Sequence, residues 1–390
     1  MSFVQKRWKM QDRYDVVVLG AGINGSAIAK ALAQEGKSVL VLEKRRIASG
    51  ASSHSSRLIH GGLRYLENFE FSLVREALHD RKYLLENYPD LVRLRQFYLP
   101  LYKHSRRPVW MIRLGLWLYT LLAGHGQKAQ EVDKALFLQQ FNLLKADNLK
   151  AVFRYSDAKT DDYALTCRIA DEAEACGAEI VEDTEIKSIR IDDKEVRIEL
   201  DGGPVRTGVL VNATGAWVDE VNARFGLPSS YTIEKLSGIH LVIDRVLVPD
   251  PLFLETASKR IFFIIPEEAT TLIGTTERSE TVEVDKIKVN NEDIEYLLRE
   301  SNAYLKKALT SKDIKEVFIG TRPIIKSAKD PTRMSREYKL DLHRIGQNRV
   351  LHVYGGKLTT FPSLAKRVAK VLRSRQAVAK QGDALKIGQS

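Results

Sequence analysis

A glycine-rich turn near the N-terminus constrains the fold of this chain more than any other feature. Residues 14–19 form an apolar, valine-rich run, and the GxGxxG pattern GAGING follows at residues 20–25. Small and apolar residues continue to Gln34, and a second apolar run over residues 38–42 ends beside the acidic Glu43. Strand, glycine turn, helix, strand and acid in this order are the fingerprint of a dinucleotide-binding fold.

Each part of this fingerprint has a physical role. Gly20 permits the tight turn, Gly22 lets the backbone approach a pyrophosphate, and Gly25 lets helix and strand pack closely. The helix N-terminus, which includes Asn24, offers N–H groups and a partial positive charge to phosphates. We expect Glu43 to accept hydrogen bonds from a ribose. A turn that serves packing alone is the alternative, and the pattern does not separate NAD from FAD.

The polar stretch SSHSSRLIHGGLRYLE, residues 52–67, favours FAD. It has no strand or helix period and follows the second predicted strand directly. In a flavin enzyme of this architecture, the chain runs along the cofactor toward the isoalloxazine at this place. The residues of the stretch that we expect to contact FAD are Ser52, Ser53, Ser55, Ser56, His60, Gly61 and Gly62.

Separated pieces of the chain supply the strands of one sheet. Apolar runs typical of buried strands recur at residues 209–219 and 350–354, whereas residues 236–274 are rich in strands of antiparallel type. We therefore predict an α/β protein, with a Rossmann-like FAD-binding domain built from discontinuous segments and an antiparallel-sheet substrate domain. A site in the cleft between the two is expected. The predicted boundaries are 14–95, 150–225 and 340–376 for the FAD-binding domain, 96–149 for a helical insertion, 226–339 for the substrate domain and 377–390 for a flexible tail.

The chain is basic, with 61 Lys and Arg against 50 Asp and Glu and a net charge of +11. A nucleic acid, an anionic membrane surface or an anionic substrate could each account for this excess, and solvated faces explain most of it. No nucleic-acid motif accompanies the charge, so we predict no nucleic-acid partner.

Residues 107–122, RPVWMIRLGLWLYTLL, form the most apolar stretch. It is shorter than the roughly 20 apolar residues that cross a bilayer, and Arg113 interrupts it. A buried helix is the favoured interpretation. The alternative is a helix in a membrane interface, with Trp110, Trp117 and Tyr119 at the level of the headgroups.

Two observations favour a cytoplasmic location. No apolar segment precedes Tyr14, so a signal peptide is not expected. Cys167 and Cys176 lie on one predicted helix, about 13 Å apart, which is too far for a disulfide. We expect a cytoplasmic protein, with peripheral contact to the inner face of the membrane as a further prediction, and we predict no metal site.

Several motifs occur in the order of one known family. They are DVVVLGAGINGSAIA, SSHSSRLIHGGLRYLENFEFSLVREAL, RPVWMIRLGLWLY, VNATGAWVD, GTRPI, SREY and GGKLTT, and they span almost the whole chain. On these motifs the chain resembles the flavin-dependent glycerol-3-phosphate dehydrogenases, within the wider group that includes D-amino acid oxidase. The resemblance implies a fold of the glutathione reductase and D-amino acid oxidase type.

The resemblance also implies a reaction. The secondary alcohol of sn-glycerol 3-phosphate would be oxidised to dihydroxyacetone phosphate by hydride transfer to flavin N5, and the electrons would pass to a quinone or another acceptor. Arginine suits a phosphate clamp, because its fork binds phosphate oxygens bidentately. The residues in family motifs that we expect to contact the substrate are Arg64, Tyr65, Arg322, Arg336 and Lys357.

His240 is the predicted proton acceptor, because an ordinary imidazole titrates near pH 6.5. Arg322 could instead lie beside the hydroxyl and lower its pKa. The strand over residues 209–219 breaks at Gly215, which would place a glycine beside the cofactor. The start of the last helix would stabilise the reduced flavin through its N–H groups and dipole, which adds Gly355, Gly356, Lys357, Leu358 and Thr359 to the predicted cofactor contacts.

Two other functions stay open at this point. An FAD-dependent oxidase or dehydrogenase of a 2-hydroxy acid or an amino acid would need a similar anion clamp, but for a carboxylate. A catalytically silent protein that binds flavin or associates with membranes is the second alternative.

Overall fold

The computed structural model describes residues 10–124, 128–326 and 338–374, apart from the side chains of Arg64 and Asn68. Arg336 and the predicted tail 377–390 lie outside the described residues. The strands are β1 (Arg13–Tyr14), β2 (Val16–Leu19), β3 (Val39–Leu42), β4 (Leu58–Ile59), β5 (Val92–Tyr102), β6 (Gln130–Val132), β7 (Leu149–Thr160), β8 (Glu179–Val181), β9 (Ile186–Ile191), β10 (Val196–Leu200), β11 (Gly203–Thr207), β12 (Val209–Asn212), β13 (Ile233–Ile243), β14 (Leu252–Glu255), β15 (Ile261–Pro266), β16 (Thr271–Gly274), β17 (Arg278–Glu280), β18 (Ile314–Ile325), β19 (Lys339–Ile345) and β20 (Asn348–Tyr354). The helices are α1 (Ile23–Gln34), α2 (Phe71–Asn87), α3 (Val109–Ala123), α4 (Lys134–Gln140), α5 (Asp162–Ala175), α6 (Val218–Phe225), α7 (Asn291–Asn302) and α8 (Phe361–Arg373).

A six-stranded sheet carries the glycine turn. Its order is β19-β20-β12-β2-β3-β8, and every neighbouring pair is parallel except β19 with β20. The first, middle and last parts of the chain all contribute strands to it, which confirms the prediction that separated pieces of the chain build one sheet. Strands β2 and β3 read VVVL and VLVL and are buried throughout, as expected for parallel strands covered on both faces.

The two faces of this sheet meet different layers. Val16 and Val18 pack among residues of α1, α5 and α8, whereas the alternate Val17 and Leu19 pack against Ile198 and neighbouring residues of β10 and β11. Successive side chains of a strand point to opposite faces, so one short run serves both cores. The second layer is the four-stranded sheet β1-β11-β10-β9.

A larger sheet forms the opposite wall of the molecule. It runs β17-β13-β16-β15-β14-β5-β7-β4, with β18 paired to β13 and β6 paired to β7. Most pairs are antiparallel, and only β14 with β5 is parallel among the described strands of this sheet. This is the antiparallel sheet that the sequence predicts for the substrate region, and β13 and β18 are its longest described partners there.

One local expectation is wrong. The range 96–149 is not a purely helical insertion, because most of β5 and all of β6 lie in it beside α3 and α4. The aromatic-rich FYLPLY favours a strand.

Helix α7 ends at Asn302. Its start is defined by Asn290, whose side chain accepts the N–H of Asp293 at 2.8 Å. The remaining domain boundaries stay a prediction.

Helix α3 is buried on one side and exposed on the other, so it has features of both interpretations of the apolar stretch. Ile112, Leu116 and Tyr119 are buried, whereas Trp110 and Trp117 are 62% and 61% exposed. Leu114 and Leu121 continue the exposed side at 55% and 64%. None of the helices in the described ranges is long and apolar enough to cross a membrane. Cys167 and Cys176 are unpaired, as predicted.

Candidate active site

The glycine turn between β2 and α1 has no room for side chains at two of its positions. Gly20 has φ +94°, a conformation that favours glycine. A Cβ atom on Gly25 would lie 1.9 Å from the carbonyl oxygen of Gly20. Gly22 precedes α1, has no side chain to cap it, and lines the cavity described below.

Glu43 stabilises this turn in the structure. Its carboxylate accepts the N–H of Ala21 at 2.7 Å and that of Arg45 at 2.9 Å. Ser52 supports the same turn, because its Oγ accepts the N–H of Ile23 at 3.0 Å. A carboxylate can accept further hydrogen bonds, so the predicted ribose contact of Glu43 stays open as a prediction.

A cavity of about 1160 Å³ extends from the glycine turn to the large sheet. It passes between the carboxyl ends of the parallel strands and the face of β13 and β18. The predicted cofactor residues that line it are Gly20, Gly22, Asn24, Glu43, Ser52, Ser55, Ser56, His60, Gly62, Gly215, Gly355, Gly356, Lys357, Leu358 and Thr359.

Three predicted cofactor residues do not line the cavity. Gly25 packs against Gly20, as described above. The Ser53 hydroxyl donates to the carbonyl of Ala48 at 2.7 Å, which directs the side chain into its own loop. The N–H of Gly61 is bound by side chains behind the wall, at 2.9 Å from the Tyr119 hydroxyl.

His240 lies at the far end of the cavity, on β13. Its Nε2 is 2.9 Å from Ser56 Oγ, and its ring stacks on Phe318, the residue opposite it on β18, with centroids 5.0 Å apart. The ring is buried, and Nδ1 has no hydrogen bond to any residue that the structure describes. On the other side, a Cβ atom on Gly274 would lie 2.3 Å from the imidazole, so this glycine provides the space for the ring.

The pKa of His240 differs from the ordinary value assumed from the sequence. Burial lowers it from 6.5 to about 3, and the nearby positive charges of Arg322 and Arg57 act in the same direction. The imidazole is therefore neutral at neutral pH in this structure.

Arg322 reaches the same end of the cavity from β18. Its Nη2 donates to the carbonyl of Thr276 at 3.1 Å. A Cβ atom on Gly238 would lie 3.1 Å from that nitrogen, so Gly238 allows the guanidinium to lie close to β13. A glycine inside a strand is a known sign of such a close approach, and SGIH carries it here.

Tyr65 and Lys357 meet although they are nearly 300 residues apart in sequence. Lys357 Nζ lies 3.8 Å from the centroid of the Tyr65 ring, which is a cation–π contact, and both residues line the cavity. Gly62, with φ +75°, admits the ring, because its Cβ would lie 2.1 Å from the Tyr65 ring carbons. Four predicted substrate-site residues, His240, Arg322, Tyr65 and Lys357, thus line one cavity. The side chain of Arg64 and the whole of Arg336 lie outside the described residues.

Asp162 is a site residue that the sequence analysis missed. It is buried and accepts both the N–H and the hydroxyl of Ser55, at 2.9 and 2.6 Å. Burial raises its pKa, and the hydrogen bonds from Ser55 oppose the shift. Ser55 is followed by Ser56, whose hydroxyl contacts His240. By holding Ser55, Asp162 therefore also fixes the position of Ser56. The pair Asp161-Asp162 at a helix start was visible in the sequence, but it indicates only a cap.

Asp285 is a second missed residue, at the opposite end of the cavity. It contacts Lys44 Nζ at 2.6 Å and accepts the indole N–H of Trp217 at 2.9 Å. Asp285, Lys44 and Trp217 all line the cavity, so this contact joins the segment after β17 to the segment after β3 in the cavity wall. Contacts across 241 residues leave no local sequence signal.

A family profile described as DAO, FAD dependent oxidoreductase, matches residues 15–371. The chain belongs to this family. The glycerol-3-phosphate dehydrogenase of Pseudomonas tolaasii is 40% identical over 362 residues, which cover 90% of this chain and 70% of the relative. The aerobic glycerol-3-phosphate dehydrogenase of Escherichia coli (strain K12) is 37% identical over 371 residues, which cover 92% and 73%.

A solved structure shows the same fold as this FAD-dependent oxidoreductase. It is the glycerol-3-phosphate dehydrogenase from Bacillus halodurans complexed with FAD, with a TM-score of 0.74 and 24% identity. The match covers 93% of this chain and 64% of that one. The predicted fold class and the cofactor FAD are thereby confirmed.

The residues present fit a bound dinucleotide. Gly20 and Gly22, which have no side chains, line the cavity where a pyrophosphate would approach, next to the start of α1. Asn24 Oδ1, at that start, is buried without a hydrogen bond to any described residue. A polar atom in this state is expected to gain a partner when a ligand binds.

Proposed function

We propose that this protein oxidises sn-glycerol 3-phosphate to dihydroxyacetone phosphate. FAD, when bound, supplies the acceptor for the hydride. The observation that carries the proposal is that His240, Arg322, Tyr65 and Lys357 line the same cavity as the glycine turn, which fits a dinucleotide. The names of relatives at 37–40% identity support the same substrate.

His240 is the proposed proton acceptor for the substrate hydroxyl. A neutral imidazole can accept a proton, and in this structure it is neutral because burial holds its pKa low. A bound phosphate would bring negative charge to the site and oppose the effect of Arg322, so the pKa of His240 should rise when substrate binds. Ser56 fixes the ring through Nε2.

Positive charge provides the proposed phosphate clamp. Arg322 and Lys357 both line the substrate end, and Arg64 and Arg336 are proposed to join them. Arg322 has a second proposed role, which is to stabilise negative charge as it develops on the reacting oxygen. The Tyr65 ring holds Lys357 in place.

The cofactor contacts are proposed from the cavity lining. Gly20, Gly22 and Asn24 would hold the pyrophosphate, and Glu43 would accept from the ribose. Residues around Leu358 and Thr359 would face the flavin at the opposite end. Asp285 would then keep the adenosine end covered, since it ties Lys44 to Trp217.

Anaerobic titration of the purified yellow protein tests the substrate. Glycerol 3-phosphate should bleach the flavin absorption and yield dihydroxyacetone phosphate. His240→Asn should retain FAD yet reduce it at least 100-fold more slowly, a typical effect of losing a general base. Bleaching by 2-hydroxy acids or amino acids, with none by glycerol 3-phosphate, would show that the clamp serves a carboxylate instead.

We also propose that helix α3 binds peripherally to the inner face of the cytoplasmic membrane, where a quinone would accept the electrons. Trp110, Leu114, Trp117 and Leu121 recur at three- and four-residue spacing and are all more than half exposed. Such a stripe on one helix side is typical of interfacial binding, and the net charge of +11 suits anionic lipids.

Sedimentation with vesicles that contain anionic phospholipid tests this contact. Binding should fall with rising salt, because surface attraction is screened beyond about 10 Å at 0.1 M. Trp110→Ser with Trp117→Ser should abolish most of it. Leu136→Ser, at a residue of α4 that is 64% exposed, is the matched control and should bind normally. Equal binding by both variants would exclude α3 as the contact.

A further inference from the structure

A buried ion pair lies behind the loop of residues 60–62, which borders the cavity. Arg81 Nη1, on α2, is 2.5 Å from Asp157 Oδ1, on β7. The two side chains are only 3% and 4% exposed. Arg81 also donates to the carbonyl of Ser156 at 2.8 Å, and Asp157 itself lines the cavity. None of the roles proposed above uses this pair.

The oxygen that pairs with Arg81 also holds the loop. Asp157 Oδ1 accepts the Tyr119 hydroxyl at 2.7 Å and the N–H of Gly61 at 3.2 Å. The neighbouring His60 donates its N–H to Thr359 Oγ1 at 3.2 Å. The loop is therefore fixed from both sides, by Asp157 behind it and by the start of the last helical segment beside it.

The packing behind Gly61 leaves the loop no space to move toward the ion pair. A Cβ atom on Gly61 would lie 2.4 Å from both the Tyr119 hydroxyl and the Leu78 side chain. Gly62 follows with φ +75° and so turns the chain toward Tyr65. The position of Asp157 thus determines where the main chain of His60 to Gly62 faces the cavity.

Two members of the cluster, Arg81 and Tyr119, keep their protons at neutral pH. Burial alone would lower the pKa of Arg81, but the Asp157 carboxylate outweighs burial and the pKa is raised. Burial and the same carboxylate raise the pKa of Tyr119 well above its ordinary value, so its hydroxyl stays a donor. The pair is neutral as a whole, whereas either partner alone would leave a buried charge in the cavity wall.

We propose that Asp157 is a positioning residue of the flavin site, which fixes the loop of residues 60–62 and cancels the charge of Arg81 behind it. This inference rests on the proposed placement of FAD in the cavity. Reduced flavin carries more negative charge than oxidised flavin. An unbalanced Arg81 would therefore favour the reduced form, and an unbalanced Asp157 would favour the oxidised form.

Two variants that each remove one charge of the pair distinguish this role from a purely structural one. Asp157→Asn keeps an oxygen for Gly61 and Tyr119 but removes the negative charge. Arg81→Gln removes the positive charge instead. Buried ion pairs often act only in folding, and in that case both variants would lower stability without opposite effects on the cofactor.

The measurement is the midpoint potential of FAD in the holoprotein, with FAD affinity and thermal unfolding recorded in parallel. Asp157→Asn should favour reduced over oxidised FAD about tenfold. For a two-electron couple this raises the midpoint potential by ~30 mV. Arg81→Gln should shift the potential by a similar amount in the negative direction. The Arg81→Gln and Asp157→Asn double variant is neutral and should return to the wild-type potential.

Each outcome decides the proposal. The proposal is overturned if the single variants bind FAD with unchanged potentials, or if both shift the potential in the same direction. It is also overturned if both single variants fail to fold. Tyr119→Phe keeps both charges and is the matched control, so it should leave the potential unchanged. A wild-type protein without FAD would contradict the proposed function itself, whereas normal reduction by glycerol 3-phosphate with no effect of Asp157→Asn contradicts only this inference.

Discussion

The two ends of the cavity are built in different ways. At the dinucleotide end, one continuous segment from Gly20 to Glu43 supplies backbone N–H groups, glycines and a carboxylate. At the proposed substrate end, His240, Arg322 and Lys357 come from parts of the chain that are far apart in sequence, and they would act through their side chains. Binding at the first end depends on the main chain coming close to the ligand without side chains in between. Binding at the second end depends on charged side chains and on the pairing of β13 with β18 in the large sheet.

This difference predicts which substitutions each end tolerates. A single added carbon should disrupt the dinucleotide end, whereas the substrate end should keep its fold and cofactor when a charged group is removed. The following experiments test this contrast, in order of decreasing expected effect.

Gly25→Ala should destroy the dinucleotide end. Its Cβ would lie 1.9 Å from the Gly20 carbonyl, which belongs to the backbone and cannot rotate away. We expect a protein without bound FAD, destabilised by about 4 kcal/mol or more, as for other severe core clashes. Gly115→Ala in α3 is the control, because nothing lies within 4 Å of the added atom. Flavin content after gel filtration measures the result, and a yellow, stable Gly25→Ala protein would contradict the contrast.

Arg322→Ala should reduce catalysis while FAD stays bound. Removing one partner of a desolvated charge pair costs roughly 2–5 kcal/mol, which corresponds to a fall in kcat/KM of about thirtyfold or more. Arg113→Ala, which removes an exposed pair with Glu131, is the control. Steady-state kinetics with glycerol 3-phosphate and the flavin spectrum are measured together. Loss of FAD from the Arg322 variant would show that the two ends are not separable.

Acid should destabilise the fold through buried His240. Its pKa is about 3 when folded and near 6.5 when unfolded, so the unfolded state binds the extra proton between these values. Stability from keeping this group neutral is therefore present above pH 6.5 and is lost as the pH falls toward 3. Between pH 7 and pH 5 the expected loss is about 2 kcal/mol relative to His240→Asn. Urea unfolding at both pH values measures it, and equal pH dependence of the two proteins would contradict burial as the cause.

Ser56→Ala should have the smallest effect. It removes the hydroxyl 2.9 Å from His240 Nε2, and a hydrogen bond of this kind contributes about 1 kcal/mol. We expect kcat to fall about fivefold with KM and FAD content unchanged. Ser53→Ala, in the same loop but turned away from the cavity, should leave kcat unaffected. A larger effect of Ser53→Ala than of Ser56→Ala would contradict the conclusion that Ser56, and not Ser53, supports His240.

The contrast also explains how much the sequence could predict. Gly20, Gly22, Gly25 and Glu43 were recognisable because their roles follow from local spacing. The roles proposed for Arg322 and Lys357 came only from family motifs, since nothing in composition places them together. The discontinuous sheet was predictable because its central strands β2, β3 and β12 are short, buried and almost entirely apolar.

The residues that were missed are defined by contacts across long sequence separations. Asp157 meets Arg81 across 76 residues, and Asp162 meets Ser55 across 107. Gly274 and Gly238 matter only because His240 and Arg322 lie over them. The prediction of an ordinary pKa for His240 was wrong for a similar reason, because the burial of this ring results from the assembly of the sheets. For α3, hydrophobicity alone could not show which side would be covered.

The arrangement of the six-stranded sheet has a consequence for biosynthesis. Strand β12 lies between β2, near the beginning of the chain, and β20, which ends at Tyr354. The wall that contains Gly355 to Thr359 is therefore added after more than 350 residues have been translated. During most of that time, the glycine turn at residues 20–25 lies beside an incomplete sheet. Such long-range pairing slows folding, so we expect the cofactor site to be completed only after residues 355–359 have been made.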